Sequence, residues 1–373
     1  MNYDDVLGLD HLKNHLKTTV EKQRVAHAQL FIGEHGYGVL PLAIAFAEHL
    51  VTFAGKKSYH TSILEHPDVH FVYPVNVTES SSKKPTSQEF LEDWRSFIRQ
   101  SPYQNLFDWY QHIGIEKKQG LIKVTQAEEI LKTLSLKSFS GGVKVMIIWC
   151  ADLMNRETSN KLLKLIEEPP KDTFFILTTS NPDQIIDTIK SRCQLLNFPP
   201  LSESVIAHAL IEQSIDAHLA KSIAHQADGD FVKALHLAYR NEDELQFEDW
   251  FISWVRSAFR AKGNKAVVDD LVNWSEDLAK QNRELQKRFL EYCLQFFRQA
   301  LLHNYKANDL VFLKPNDKKF KFEAFSTFIT GANIQPIFNA ISDAIYHIER
   351  NGNAKMIFTD LSFQLTRFLH KKN

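Results

Sequence analysis

The sequence predicts an α/β unit built on a parallel sheet, followed by an all-α remainder. Two observations carry that expectation. Over the first 200 residues, short apolar runs alternate with helical patterns, the rhythm of parallel strands covered by helices. From Ser202 onward no convincing strand pattern remains, only apolar residues at helical spacing. A chain of 373 residues has room for two or three domains, at about 150 residues each.

Leu12, Leu16 and Val20 recur at helical spacing after Asp10, which reads as an N-cap. Strands are expected at 29–32, 69–73, 145–149, 174–178 and 195–198. Helices are expected near 39–53, 124–137 and 155–167. The last is stopped by Pro169 and Pro170, whose rings forbid continuation. Residues 76–120 break the rhythm. A polar linker, "TESSSKKPTS", leads into a stretch where Phe90, Trp94, Phe97 and Ile98 share one helix face. That stripe reads as an insertion packed on its own domain, with a partner-docking surface as the alternative.

Three short helical patterns occupy 202–241, with Gly229 between two of them, and longer ones fill 245–303 and 333–370. Trp250 and Trp254, Phe289, Cys293, Phe296 and Phe297, and Leu361, Leu365 and Phe368 keep helical periodicity but carry no chemical motif. Helices dominated by packing suit an assembly or scaffold domain. The domains expected are 1–200 (with an insertion at about 76–120), 201–243 and 244–373.

Apolar content of 44% with 24% charged residues is ordinary for a globular protein. A formal net charge of −1 says nothing of a uniformly basic nucleic-acid binder, and a local basic face stays open. Cys150, Cys193 and Cys293 are too dispersed, and odd in number, to build a disulfide framework or a four-ligand zinc site. The opening "MNYDDVLGLD" lacks the basic and apolar regions of a signal peptide. No run of about 18 apolar residues could span a bilayer, so a soluble cytoplasmic protein is expected.

The chemistry begins at "LFIGEHGYGVL". An apolar run enters a loop spaced by Gly33, Gly36 and Gly38, and a helical pattern follows. In a working phosphate loop, backbone N–H groups cradle phosphates, a lysine reaches the β/γ-phosphates and a hydroxyl holds Mg²⁺. Here Val39 and Leu40 stand in the lysine and hydroxyl places. A tight strand-to-helix turn would account for the glycines by itself. A second site should follow the strand Val145-Met146-Ile147-Ile148, whose end would carry acids for Mg²⁺ and the attacking water. Trp149 and Cys150 occupy those positions, and Asp152 lies past the strand end, where its carboxylate is expected to point elsewhere. Both losses argue against ATP hydrolysis by this chain.

One charged element survives in "TIKSRCQ", where Arg192 sits between Ser191 and Cys193. An arginine offered to another subunit's γ-phosphate accelerates hydrolysis by roughly 10³–10⁵-fold. Its planar fork suits phosphate oxygens better than a lysine does. The plain alternative is a surface arginine in an ion pair.

The segments "HAQLFIGEHGYG", "EHPDVHFV", "KVMIIWCADLMN", "SNKLLKLIEEPP", "FFILTTSNPDQIIDTIKSRCQLLNF" and "DGDFVKALHLA" occur in that order. With them the chain resembles the clamp-loader branch of the AAA+ proteins, most closely its delta-prime-like members in bacterial DNA polymerase III. The motifs cover residues 1–240, and the rest matches only as a helical collar with Asn353 opening the last helix. The resemblance implies a RecA-like AAA+ sheet domain, a three-helix lid and a C-terminal helical collar for oligomerisation. It also implies that Arg192, flanked by Ser191 and Cys193, is an arginine finger acting in trans. Gly33, Gly36 and Gly38 would be a vestigial phosphate loop, and Thr179 would fall near a nucleotide-sensing position. The lid's sensing arginine would fall near Val232 and is absent.

Many members of the branch carry a four-cysteine zinc module before the His-Pro-Asp segment. Residues 51–66 hold no cysteine, and His60 and His66 are too few, so no zinc is expected and no other cofactor. ATP would be bound by the neighbouring subunit. His11 and His15 read as surface histidines rather than metal ligands. The "KKP" at 83–85 and the terminal "HKKN" read as solvated charge. The partners implied are gamma/tau and delta subunits in a hetero-oligomeric ring, the sliding clamp and primer-template DNA. The leading function is a non-hydrolysing stator in clamp loading. The alternatives are an ATP-hydrolysing gamma/tau-like motor with degenerate sites, or a clamp-opening delta-like subunit.

Overall fold

The computed structural model describes residues 1–54, 62–79, 81–115, 118–239, 242–261, 264, 266–307, 311, 315, 317 and 319–370. Of the segments singled out in the sequence, His60, Ser80 of the polar linker and residues 371–373 lie outside these. The chain divides into two compact units, Met1–Ala238 and Tyr239–Asn373.

The first unit opens with α1 (Asp10–Glu21), β1 (Ala28–Ile32), α2 (Val39–Ala54) and β2 (Val69–Val72). The insertion contributes α3 (Leu91–Gln100) and α4 (Leu106–His112), followed by α5 (Val124–Ser135). Then come β3 (Lys144–Ile148), α6 (Arg156–Glu167), β4 (Thr173–Thr179), α7 (Asp187–Lys190) and β5 (Gln194–Asn197). Three short helices close it: α8 (Glu203–Glu212), α9 (Ala217–Ala227) and α10 (Phe231–Tyr239).

The five strands form one parallel sheet in the order β2-β3-β4-β1-β5. Parallel strands must be covered on both faces, and β3 is buried along its whole length. Alternation along the strands sends residues to two cores. Phe31, Val145, Ile147 and Ile176 join a cluster with α1, α2 and the insertion. Leu30, Met146, Ile148, Phe175 and Leu177 join a second cluster with α5 and α6. Helix α2 is apolar on nearly every side and buried from Val39 to Ala47, as a central helix must be.

Local chemistry sets the helix ends, with one correction. Asp10 is not the N-cap of α1 but its first residue. The cap position is Leu9, in the left-handed region (φ 60). Asp10 favours the helix N-terminus through its charge instead. Asn155 caps α6 by accepting the Thr158 N–H at 2.9 Å, and the helix ends just before the two prolines. In the insertion, Phe90, Trp94, Phe97 and Ile98 are buried within their own unit. Tyr73 of the segment after β2 stacks on Trp94 with centroids 4.2 Å apart. The Trp109 indole N–H donates to the Pro74 carbonyl at 2.8 Å. The stripe therefore packs on its own unit.

The second unit is helical: α11 (Glu242–Arg260), α12 (Ala266–Ala279), α13 (Arg283–Asn304), α14 (Phe322–Ser326), α15 (Ile334–Glu349) and α16 (Ala354–Leu369). Its core is aromatic. Trp254 stacks on Trp274 at 5.1 Å, and its indole N–H donates to Ser362 Oγ at 2.9 Å. Asn353 caps α16, accepting the Met356 N–H at 3.2 Å. Among the described residues no helix is long and apolar enough to cross a membrane.

Candidate functional site

The glycine loop leaves the C-terminal end of β1 and enters α2, on the sheet edge where open α/β folds place ligands. The Gly33 N–H donates to the Thr179 carbonyl at 3.0 Å, pinning the loop's start to the end of β4. His35–Tyr37 forms a single 3-10 turn, and Gly38 then adopts φ +85, which favours glycine. The glycine-spaced turn between strand and helix is thus present.

A lysine and a hydroxyl at its end are not. Val39 and Leu40 are 4% and 3% exposed and belong to the core. The one ionisable side chain inside the 3-10 turn that could carry positive charge is His35, which lies edge-on to Trp149 with centroids 5.5 Å apart. Burial pushes its pKa down to about 4, against the opposing pull of Asp108, so the ring is neutral at pH 7. A carboxylate touches the loop instead. A Cβ on Gly36 would stand 1.7 Å from Asp230 Oδ1, so only glycine fits there. Asp230 caps α10 by accepting the Lys233 N–H at 3.0 Å. Burial raises its pKa, and the hydrogen bonds at the helix start oppose that rise.

At the second position, Trp149 and Cys150 are buried, and burial raises the Cys150 thiol well above its ordinary range. Asp152 departs from expectation. Cys150 takes the left-handed conformation (φ 55), and the 3-10 turn Ala151–Leu153 follows. This reversal brings the Asp152 carboxylate back to the strand ends, where Thr179 Oγ1 donates to it at 2.7 Å. The Thr179 hydroxyl also accepts the Asn181 N–H at 3.0 Å. Burial raises the Asp152 pKa, and the Thr179 hydrogen bond opposes that. An acid and a hydroxyl therefore do meet at the ends of β3 and β4.

Arg192 sits in the turn between α7 and β5, where Ser191 caps α7 and donates through Oγ to the Thr188 carbonyl at 3.2 Å. The guanidinium side chain is 36% exposed and lies on the carboxylate of Glu167, at the end of α6, through both Nε and Nη2. Nη1 donates to the Thr188 carbonyl at 2.8 Å. The Cys193 thiol is held up at about 11 by burial, so it stays protonated and unreactive at neutral pH. Gly33, Gly36, Gly38 and Thr179 thus meet around the loop, while Ser191, Arg192 and Cys193 form a separate surface turn.

Sequence reasoning passed over Glu167, Asp230 and Asp68. Glu167 and Asp230 lay in quoted motifs, "LIEEPP" and "DGDFVKAL". Asp68 of "EHPD" accepts from the Phe139 and Ser140 N–H groups at 2.7 and 2.8 Å, and from the hydroxyls of Ser138 and Ser140. It anchors a loop on which Leu136 and Phe139 are 65% and 66% exposed. His11 and His15 are exposed on α1. Among the described residues no group of three His, Cys, Asp or Glu could hold a metal.

The profile of a family described as "DNA polymerase III, delta subunit" matches residues 8–202. A DNA polymerase III subunit delta' from Bacillus subtilis is 28% identical over 235 residues, 61% of this chain and 58% of that one. A DNA polymerase III subunit tau/gamma from Haemophilus influenzae is 28% identical over 242 residues, 63% of this chain and 30% of that one. The chain spans less than two thirds of the length of either relative. A solved DNA polymerase III gamma subunit-related protein from Thermotoga maritima shares 13% identity at a TM-score of 0.40, covering 95% of this chain and 99% of that one.

Proposed function

The chain belongs to the DNA polymerase III, delta subunit family, and from that premise we propose that it is a non-hydrolysing stator subunit of a clamp loader. In this reading it sits in a hetero-oligomeric ring with gamma/tau and delta subunits, in the cytoplasm, and helps load the sliding clamp onto primer-template DNA. It supplies Arg192 in trans to the ATP site of a neighbouring motor subunit, with Ser191 and Cys193 shaping the turn. Gly33, Gly36 and Gly38 remain as the scaffold of a loop that handles no nucleotide. Thr179 keeps its place at the end of β4 but serves Asp152. The chain holds no zinc and no cofactor of its own.

The observation that carries this reading is the burial of Val39 and Leu40 where a cation and a hydroxyl would serve a triphosphate. Without them, no charge on the loop offsets the phosphates. Arg192, by contrast, is partly exposed in a surface turn, and its guanidinium reaches a neighbour once it leaves Glu167. The test is reconstitution. The purified chain alone should show no ATPase activity. Mixed with motor subunits and primed DNA it should raise their turnover, and Arg192→Ala should remove that increase. Full stimulation by Arg192→Ala would end the proposal.

A further inference from the structure

The insertion was left without a role by its sequence, and its side chains converge on the relic loop. Tyr103, between α3 and α4, is buried. Its hydroxyl accepts the Leu7 N–H at 2.7 Å. A Cβ on Gly38 would lie 3.5 Å from that hydroxyl. Its ring meets Phe231, the first residue of α10, edge-on at 5.1 Å. One side chain thus touches the N-terminal segment, the glycine loop and the third short helix.

Five residues on, Asp108 adds a second contact with α10. Asn105 caps α4 by accepting the Phe107 and Asp108 N–H groups, both at 2.9 Å. The Asp108 carboxylate accepts the Asn105 N–H at 2.9 Å and meets His236 Nε2 of α10 at 3.3 Å. Trp94 and Phe97 of α3 lie against Trp149, with centroids 5.2 and 6.2 Å apart. The insertion therefore covers both former chemical positions and grips α10.

We infer that the insertion is an internal replacement for nucleotide: Tyr103 ties the glycine loop to α10 and Asp108 ties the insertion to the same helix, so that the short-helix region is held without any ligand. Where nucleotide bridges a loop and a lid, each binding event shifts the lid's population, by as much as the ligand's affinities for the two states differ. Here the bridge is covalently part of the chain and its occupancy does not vary. A unit that must stay unchanged while neighbours cycle through ATP gains from that constancy. The inference holds whether or not Arg192 acts in trans, because it concerns only contacts inside Met1–Ala238.

Amide hydrogen exchange on the full chain tests it, with Mg²⁺·ATP as probe. Exchange over residues 33–40 and 231–239 should be the same with and without Mg²⁺·ATP. Tyr103→Ala should speed exchange in 231–239 by about tenfold or more, while α6 and α13 keep their protection. His236→Ala, a milder change on the outer side of the same contact, should speed exchange in both 231–239 and 106–112. If Tyr103→Ala loses protection throughout, His236→Ala decides. Protection of 33–40 by Mg²⁺·ATP in the unaltered chain, or wild-type exchange of 231–239 in His236→Ala, overturns the inference.

Discussion

The carboxylate of Glu167 holds the guanidinium of Arg192 across 25 positions of sequence, joining the end of α6 to the turn after α7. Because the arginine is partly exposed, the pair contributes only about 0–1 kcal/mol to stability. Its weight falls instead on availability, since a guanidinium resting on a carboxylate must leave it to meet a phosphate. Glu167→Gln should therefore leave thermal unfolding nearly unchanged and, under the proposed trans role of Arg192, raise the turnover elicited from partner ATPase subunits. Dose–response curves for Glu167→Gln, Arg192→Ala and the unaltered chain measure this. A fall to the Arg192→Ala level would show that Glu167 aims the arginine rather than competing for it.

His35 makes the first unit acid-sensitive. Burial against Trp149 holds its folded pKa near 4, below the ordinary value of 6.5 in the unfolded chain. Between these values the unfolded state binds the proton and the folded state does not, so stability rises with pH. The contribution is fully present above about pH 6.5 and is lost as the pH falls toward 4. From pH 7 to 5 the loss is roughly 2 kcal/mol from this residue. His35→Phe keeps an aromatic ring and should flatten the slope by that amount. Urea unfolding at both pH values, compared between variant and unaltered chain, reads the difference.

Asp68 works in the same direction for a different reason, since its charged form is stabilised by hydrogen bonds. Burial alone would raise its pKa, but the hydrogen bonds from Ser140, Phe139 and Ser138 outweigh that and hold it below the ordinary carboxylate range. A carboxyl depressed in the folded state stabilises above its unfolded pKa, and that stability goes as the pH falls through the folded value. At neutral pH, Asp68→Ala leaves the Phe139 and Ser140 N–H groups without their acceptor, at about 1–3 kcal/mol. Exchange at residues 138–140 should accelerate well before the sheet is affected. Unchanged protection there would show that the loop holds its shape without the carboxylate.

The strands were legible because β-branched and aromatic runs between polar turns have few other uses, and all five lie within a residue or two of their expected places. The start of α1 was not. Gly8 and Leu9 both take positive φ, so the chain enters the helix by a backbone turn instead of a side-chain cap. In the candidate site, the glycine spacing and the Ser-Arg-Cys turn are local patterns and could be read directly. Glu167 and Tyr103 act through contacts made by tertiary folding; Asp230 and Asp108 also cap helices locally, but their meetings with Gly36 and His236 come from the fold and are not announced by spacing. Asp152 was misjudged for a similar reason. Its direction depends on Cys150 adopting φ 55, a conformation unusual for any residue other than glycine.

Placing a lysine at position 39 tests whether the glycine loop can hold a nucleotide. Val39 lies in the core at the start of α2, with Cγ2 3.1 Å from where a Gly33 Cβ would stand. A lysine there brings a charge into apolar packing. Asp230, which lies against Gly36, already accepts an N–H at the start of α10. Lysine in such a site either loses its proton or forces the packing open. Val39→Lys, with Leu40→Thr to supply the hydroxyl, should cost on the order of 3 kcal/mol. It should still show no binding of Mg²⁺·ATP, because Asp230 lies against Gly36 and Tyr103 lies beside Gly38. Differential scanning fluorimetry with and without Mg²⁺·ATP measures both effects. A doubly substituted chain that gained thermal stability on adding Mg²⁺·ATP would show that two side chains, and not the filled surroundings, decide whether nucleotide binds.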